Sequence, residues 1–503
     1  MDISADRSFA AAKREKLNSR RRPPLLRSRK FYNRRGWIIT ILGLSFFFAQ
    51  PVSALTFEQA RHLLARTGFG APPLTAIESL MPLDHQTAVE RILGGLRTTS
   101  VTPPPDWSQA GKPGSSSVSR AGSDKDSRSN ETTLMRRGRE LKQWWLREML
   151  ATDSPLTERL VLFWHKHFPS SIFHVRKPAY LFRQNVLYRA NAAGNFAEFI
   201  HAMAKDPAML LYLDGQTNRA GNPNENFARE FLELFTLGEG RVYTEPDIRE
   251  AARAFTGWRI NAANGEFLFS PAEHDGGVKK FFGHSGHFTG RRIIDIVLQQ
   301  PRTAEHIVEK LWRDFISEFP APDRVKTLAA EFRNSGYEIK PLLRRILNSA
   351  EFQSAENRGT IIKSPVELSI GTLRLFQLIP DDLSWIAWFI AQMGQDLFDP
   401  PNVGSWPGGK HWINTATLTA RRTFLSEYAG ALKNMISNPN MPGSAIASSQ
   451  ASAGKFNARL AIDRPGLMAQ VLLPIGSMRR PLPGAPPGDV LRRLLMHPGY
   501  QLK

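Results

Sequence analysis

Asn222-Pro-Asn-Glu-Asn-Phe-Ala-Arg-Glu-Phe-Leu-Glu-Leu-Phe235 carries the pattern that decides the fold class. Phe227, Phe231, Leu234 and Phe235 recur at helical spacing, and Asn226, Arg229, Glu230 and Glu233 occupy another face. Asn222-Pro223 supplies a cap and a first-turn proline, Glu225 stands at the reciprocal capping-box position, and Gly238 is a terminator. The same punctuation repeats outward in both directions. Residues 57–66 form an apolar helical stripe that Gly68-Phe69-Gly70 stops, and Ser154-Pro155 opens a helix that Pro169 closes. Further helices are predicted over 244–255, 303–316, 341–347, 365–376 and 415–435. Only Phe267-Leu-Phe269 and Val278-Lys-Lys-Phe-Phe282 read as strands, paired as one short β-hairpin near 266–283. The predicted fold is therefore mainly α, a multi-helix globular array with that single hairpin.

Length and composition agree with a folded chain. The 503 residues are 42% hydrophobic and 22% charged, with 31 Phe, 11 Trp and 8 Tyr, enough to build a sizeable core. Residues 1–54 read as an export signal. Twelve Lys/Arg against Asp2, Asp6 and Glu15 precede an uncharged stretch over 36–54, whose Val52-Ser53-Ala54 suits signal-peptidase cleavage. Arg34-Arg35-Gly36-Trp37-Ile38 is similar to a twin-arginine signal. The expected product is periplasmic or extracellular, with membrane attachment only through this end if it stays uncleaved. Subtracting the +9 of residues 1–35 from the total of +20 leaves +11 spread over many helices, so a nucleic-acid partner is not expected. With no cysteine, disulfides, thiolate metal sites and cysteine nucleophiles are excluded. Residues 55–97 are assigned to an N-terminal helical part and 98–133, rich in Pro, Ser and Gly, to a disordered insertion. The main helical domain covers 134–436, a low-complexity linker 437–456, and a C-terminal helical tail 457–503.

Two windows concentrate histidine: His165, His167 and His174 in one, and His274, His284 and His287 in the other. His165, His167 and His274 are candidate ligands for a divalent transition metal. The two-residue spacing of the first pair nevertheless puts them on nearly opposite helix faces, where backbone-bonded core histidines are the alternative. Glu225, Glu230 and Asp275 are candidate acids or bases, since a buried carboxylate without a partner acquires a raised pKa. Each has an ordinary structural reading too, as a cap, an ion pair or a turn former. Asn224, Asn226, Arg229 and Glu233 would line the same polar face, and Trp258 and Trp406 are its candidate aromatic contacts. Trp406 lies in Pro400-Pro-Asn-Val-Gly-Ser-Trp-Pro-Gly-Gly409, a rigid loop able to border a cleft. No phosphate-cradling glycine loop, GxSxG elbow or EF-hand is present after residue 54.

These segments together resemble the bacterial family catalogued as domain of unknown function 1800. The resemblance rests on Arg61 to Gly70, Phe163-Trp-His-Lys-His-Phe168, Asn222 to Gly238, Tyr243 to Trp258, His274-Asp275, Lys310-Leu-Trp312, Lys363-Ser-Pro-Val-Glu367 and Pro400 to Asn414, in family order. It implies a mainly helical exported protein without a settled activity, often encoded beside a second exported family similar to sulfatases and alkaline phosphatases. The family motifs FWHxHF, NENxARExxELFxLG and HD fall on His165, His167, Asn224, Glu225, Asn226, Arg229, Glu230, Glu233, His274 and Asp275. Two functions follow as expectations: a metal-assisted hydrolase of an envelope or extracellular polymer, or a non-catalytic scaffold. The scaffold's partner would be another exported protein encoded nearby or an envelope polysaccharide.

Overall fold

The helix Pro155–His167 is the centre of the molecule, and every residue in it after Pro155 is buried apart from Lys166. Such burial needs partners for its charges. Glu158 receives a bidentate hydrogen bond from Arg189 (2.6 and 2.9 Å) and a third from the Trp145 indole N–H at 2.8 Å. These bonds lock the helix to its neighbours Asp124–Ala151 and Pro178–Ala190. A buried, hydrogen-bonded pair of this kind costs about 3–5 kcal/mol when one partner is lost.

The computed structural model describes residues 53–109, 124–240, 242–377, 379–437, 460, 463–476 and 487–503. The proposed export signal up to Val52 and nearly all of the expected linker lie outside these residues. From Val52 to Lys503 the chain forms one compact unit. Its architecture is mainly helical, with one contiguous core that includes Trp145, Trp164 and Trp312. The two ends of this unit meet where Arg61 Nε donates to the carbonyl of Val471 (2.9 Å), and the Lys503 N–H ties the last residue to the carbonyl of Ile361 (2.9 Å). No helix among the described residues is long and apolar enough to cross a membrane.

Several local expectations are corrected. The strands pair differently: Phe267–Phe269 pairs with Trp258–Ile260 upstream, and Lys279–Phe281 with His284–Gly286 downstream, giving two antiparallel hairpins. The turn chemistry explains it. Phe282 and Gly283, both at positive φ (49° and 75°), close a two-residue turn of the kind that suits the twist of adjoining strands. Residues 98–109 are not loose; the N–H groups of Val101 and Thr102 donate to the Glu148 carboxylate at 3.0 and 2.7 Å. The helix after the insertion already begins at Asp124.

The 222–235 stretch is helical but starts later than its proline suggests. The helix runs Asn226–Glu230 and continues as a π-helical turn, Phe231–Thr236. Asn224 is held out of it, its N–H donating to Asn218 Oδ1 while its own Oδ1 accepts from the Asn226 N–H, both at 2.9 Å. Side-chain bonds of this type compete with the first helical turn. Glu225 consequently makes no side-chain cap. Gly238, at φ 88°, ends the segment as expected.

Candidate functional site

The motif side chains largely satisfy one another. Arg229 collects Glu225 (3.1 Å), Glu233 (3.4 Å) and Glu245 (2.8 Å). Arg253 joins Asp275 (2.7 Å) to Glu250 (2.9 Å), and this hydrogen bond holds the Asp275 carboxyl below its ordinary pKa. His274 Nδ1 lies 2.9 Å from the Thr256 carbonyl oxygen. Trp258 is a core residue packed edge-on against Phe255 and Phe267. Glu230 has no ion-pair or hydrogen-bond partner among the described residues; half-burial first, and the charge of Glu233 second, raise its pKa. An open polar groove of about 740 Å3 passes Arg219, Asn224, Glu225 and the Arg259–Glu273 ion pair, and Glu225 is taken up by Arg229 outside the groove.

The metal expectation does not fit the geometry. Among the described residues no group of three or more His, Asp or Glu side chains could hold an ion. His165 is enclosed by the rings of Trp145, Phe398 and Trp406, and its Nε2 accepts from the Phe398 N–H at 3.2 Å. Burial pushes its pKa down to about 3, so it is neutral. His167 leaves the helix on another side, with Nε2 3.1 Å from the Phe235 carbonyl and Nδ1 2.9 Å from Lys310 Nζ. His274 belongs to the Arg253–Asp275 region. The three histidines are thus dispersed and individually bonded, as the opposite-face argument anticipated for the first two.

What the structure does assemble is a second cavity of about 670 Å3, floored by Arg159, Lys166 and His167 on the central helix. Lys310, Arg313 and Asp314, on Pro301–Phe315, form one wall at i, i+3, i+4 spacing. Glu367 and Lys503 close the base, and the loop from Gly404 to Trp412 forms the opposite side, with Trp406 and Trp412 nearly buried in it. Gly408 and Gly409 have positive φ (76° and 55°), which lets the loop backbone approach Lys166; a Cβ on Gly408 would lie 2.6 Å from its Nζ. Phe319, 81% exposed, stands on the rim.

The charges in this cleft are unequal in number and in pairing. Arg159 bridges Asp314 (2.5 Å) and Glu367 (2.6 Å), and Glu367 also accepts from Lys503. Burial alone would raise the Glu367 pKa, but Arg159 and Lys503 hold it below the ordinary carboxylate range. Lys166 has no hydrogen-bond or ion-pair partner among the described residues, and its surroundings of protein lower its pKa in spite of Asp314 and Glu367. Lys310 is lowered further, to about 7, by burial and then by the charge of Lys166. Arg313 pairs with Glu309 at 3.8 Å, and Lys166, Lys310 and Lys410 face only Glu318 beyond the carboxylates already used, which leaves a net positive cavity.

A family model described as protein of unknown function (DUF1800) matches residues 62–502. The chain belongs to the DUF1800 family. Neither curated proteins nor solved structures give a match. In this DUF1800 protein the stretches that carry the resemblance around 163–168, 310–312, 363–367 and 400–414 all send residues into the cleft. Sequence reasoning placed His167 and Trp406 among its candidates, and both line it; it passed over Lys166, Arg159, Lys310, Asp314, Glu367 and Lys503. One signal was available: Lys166 interrupts an otherwise apolar and aromatic Phe163 to Phe168 run, where a wholly buried helix has no place for a lysine.

Proposed function

We propose that this DUF1800 protein is exported and that its cleft binds an anionic group of an envelope or extracellular polymer. Lys166 carries the reading: it is the single exposed residue on a buried central helix, it faces a cavity, and no described side chain forms an ion pair or hydrogen bond with it. A carboxylate, phosphate or sulfate entering there gains charge-assisted hydrogen bonds in a partly desolvated site. The cavity is large enough for one or two sugar residues, and Phe319 on its rim gives it exposed apolar surface. Metal-assisted hydrolysis draws no support from the dispersed histidines. A docked exported protein is the second reading, favoured by Phe319 on the rim, which would anchor a partner side chain over the same cations.

Calorimetric titration with a sulfated, a carboxylated and a neutral polysaccharide tests this. Acidic polymers should bind, with affinity falling as salt is added, and neutral dextran should not. Lys166→Glu, which changes an exposed side chain, should reduce acidic-polymer affinity at least tenfold. Equal binding of dextran, or full affinity in the variant, would show the cleft assignment to be wrong. Fractionation of cells producing the full chain tests export.

A further inference from the structure

Lys310 is built into the cleft differently from the other cations. Its Nζ donates to His167 Nδ1 at 2.9 Å and to the Leu234 carbonyl at 3.0 Å, and no carboxylate pairs with it among the described residues. Both acceptors are fixed. His167 gives its Nε2–H to the Phe235 carbonyl, which makes Nδ1 the acceptor, and Leu234 and Phe235 lie in the π-helical turn near the helix end, where carbonyls are left over from intrahelical bonding. A neutral amine has two N–H bonds and one lone pair. With both N–H bonds held by neutral acceptors, the lone pair occupies the remaining tetrahedral direction of a side chain that lines the cavity.

From this geometry we propose that Lys310 is a nucleophilic amine, which condenses with the carbonyl group of an aldehyde or ketone whose anionic group is held by Lys166. The inference rests on the anion-binding reading and names the ligand class: a carbonyl compound bearing a carboxylate or phosphate, such as an open-chain acidic sugar end or a keto acid. The Lys310 nitrogen adds to the carbonyl carbon to give a carbinolamine. Loss of one water, made of the carbonyl oxygen and two protons, leaves the C=N bond, with no oxidant or reductant required. The charges facing Lys310 favour the neutral amine: Lys166 and Arg313 are cationic, and His167 and His306 are held neutral by burial. The Lys310 pKa, lowered to about 7, agrees with this arrangement.

Pyridoxal 5′-phosphate, an aromatic aldehyde carrying a phosphate, is the probe. The protein would be treated with it at limiting concentration, reduced with borohydride to trap the imine, and mapped by peptide mass spectrometry from pH 6 to 10. Lys310 should be the fastest-labelled lysine, with a midpoint near 7 against about 10 for surface lysines. Lys166→Met should slow labelling, because it removes the phosphate contact, and its loss of neighbouring charge should raise that midpoint. Lys310→Arg should lose the label, because a guanidinium forms no imine. Labelling of Lys310 no faster than the surface average, or a midpoint near 10, overturns the proposal; if Lys166→Glu still abolishes acidic-polymer binding, the anion site survives without it. Fast labelling that neither acidic polymer nor Lys166→Met affects would retain the reactive amine and refute the anion-holding role of Lys166.

Discussion

Replacing Glu367 by Gln should remove a large part of the stability of the whole unit while exchanging only one carboxylate oxygen for an NH2 group. Glu367 is 3% exposed and stands at the third position of the helix Pro365–Phe376. One of its oxygens meets Arg159 at 2.6 Å and also Lys503, and the other accepts from the Ser364 N–H at 2.7 Å, closing a capping box. An amide has a single acceptor oxygen. In Glu367→Gln the new side chain must turn its NH2 either toward the Ser364 N–H or toward two cations. In both orientations Lys503 loses its side-chain carboxylate among the described residues, and Arg159 keeps only Asp314. Breaking a buried pair costs about 3–5 kcal/mol, a sizeable share of the roughly 5–15 kcal/mol by which folded domains are stable. Urea unfolding followed by tryptophan fluorescence would read the loss at pH 7. The pH dependence gives a second, independent check. Because the folded pKa of Glu367 is depressed, its contribution is complete above the ordinary value of 4.5 and disappears as pH falls through the lower folded value. The gap between wild type and variant should therefore be widest from about pH 5 to 7, narrow below about 4.5, and narrow again toward pH 8, where burial has brought the Lys503 amine close to losing its proton. A loss under about 1 kcal/mol at pH 7, or a gap that stays wide in acid, would refute the argument that this charge is uniquely placed.

Other outcomes follow from the same structure. His165 is neutral in the fold with a pKa near 3, against 6.5 when unfolded, so stability should fall as pH drops below 6.5. By pH 5 this one group accounts for about 2 kcal/mol, and His165→Gln, which keeps an acceptor for the Phe398 N–H, should flatten that part of the pH–stability curve. In Gly371→Ala the new Cβ would fall 2.0 Å from the Phe69 carbonyl oxygen, so the helix must shift from residues 69–70 at a cost of about 1–3 kcal/mol or more, measurable as a lower denaturation midpoint. Gly408→Ala should weaken acidic-polymer binding in calorimetry more than it weakens folding, since it combines positive φ with a close approach to Lys166 Nζ on a surface loop.

The helices were legible because their signals are local. Ser364 with Glu367 and Thr244 with Asp247 close capping boxes, and Pro155 and Pro365 sit in first turns; each lies within a few residues of the bonds it makes. The strand segments around 267–269 and 279–281 were legible for the same reason, while their partners were not, since pairing is settled by turn closure at Gly283 and around Gly265. The start of the 222–235 helix was misjudged because Asn218, outside the motif, withdraws Asn224 from the first turn.

Functional residues divide along the same line. Sequence alone determined a mainly helical chain, a cysteine-free chemistry, a basic balance, and dense polar motifs around 163–168, 222–238 and 274–275. It could not say whether those polar groups would be used up by neighbours, and Arg229 and Arg253 in fact consume most of the carboxylates. Only the tertiary structure brought Lys166, Lys310, Glu367 and Lys503 to one cavity from distant parts of the chain. Caps and periodicity act through bonds between near neighbours; the surplus charge of a cleft is a sum over side chains that packing alone brings within a few ångströms, and no linear pattern encodes that sum.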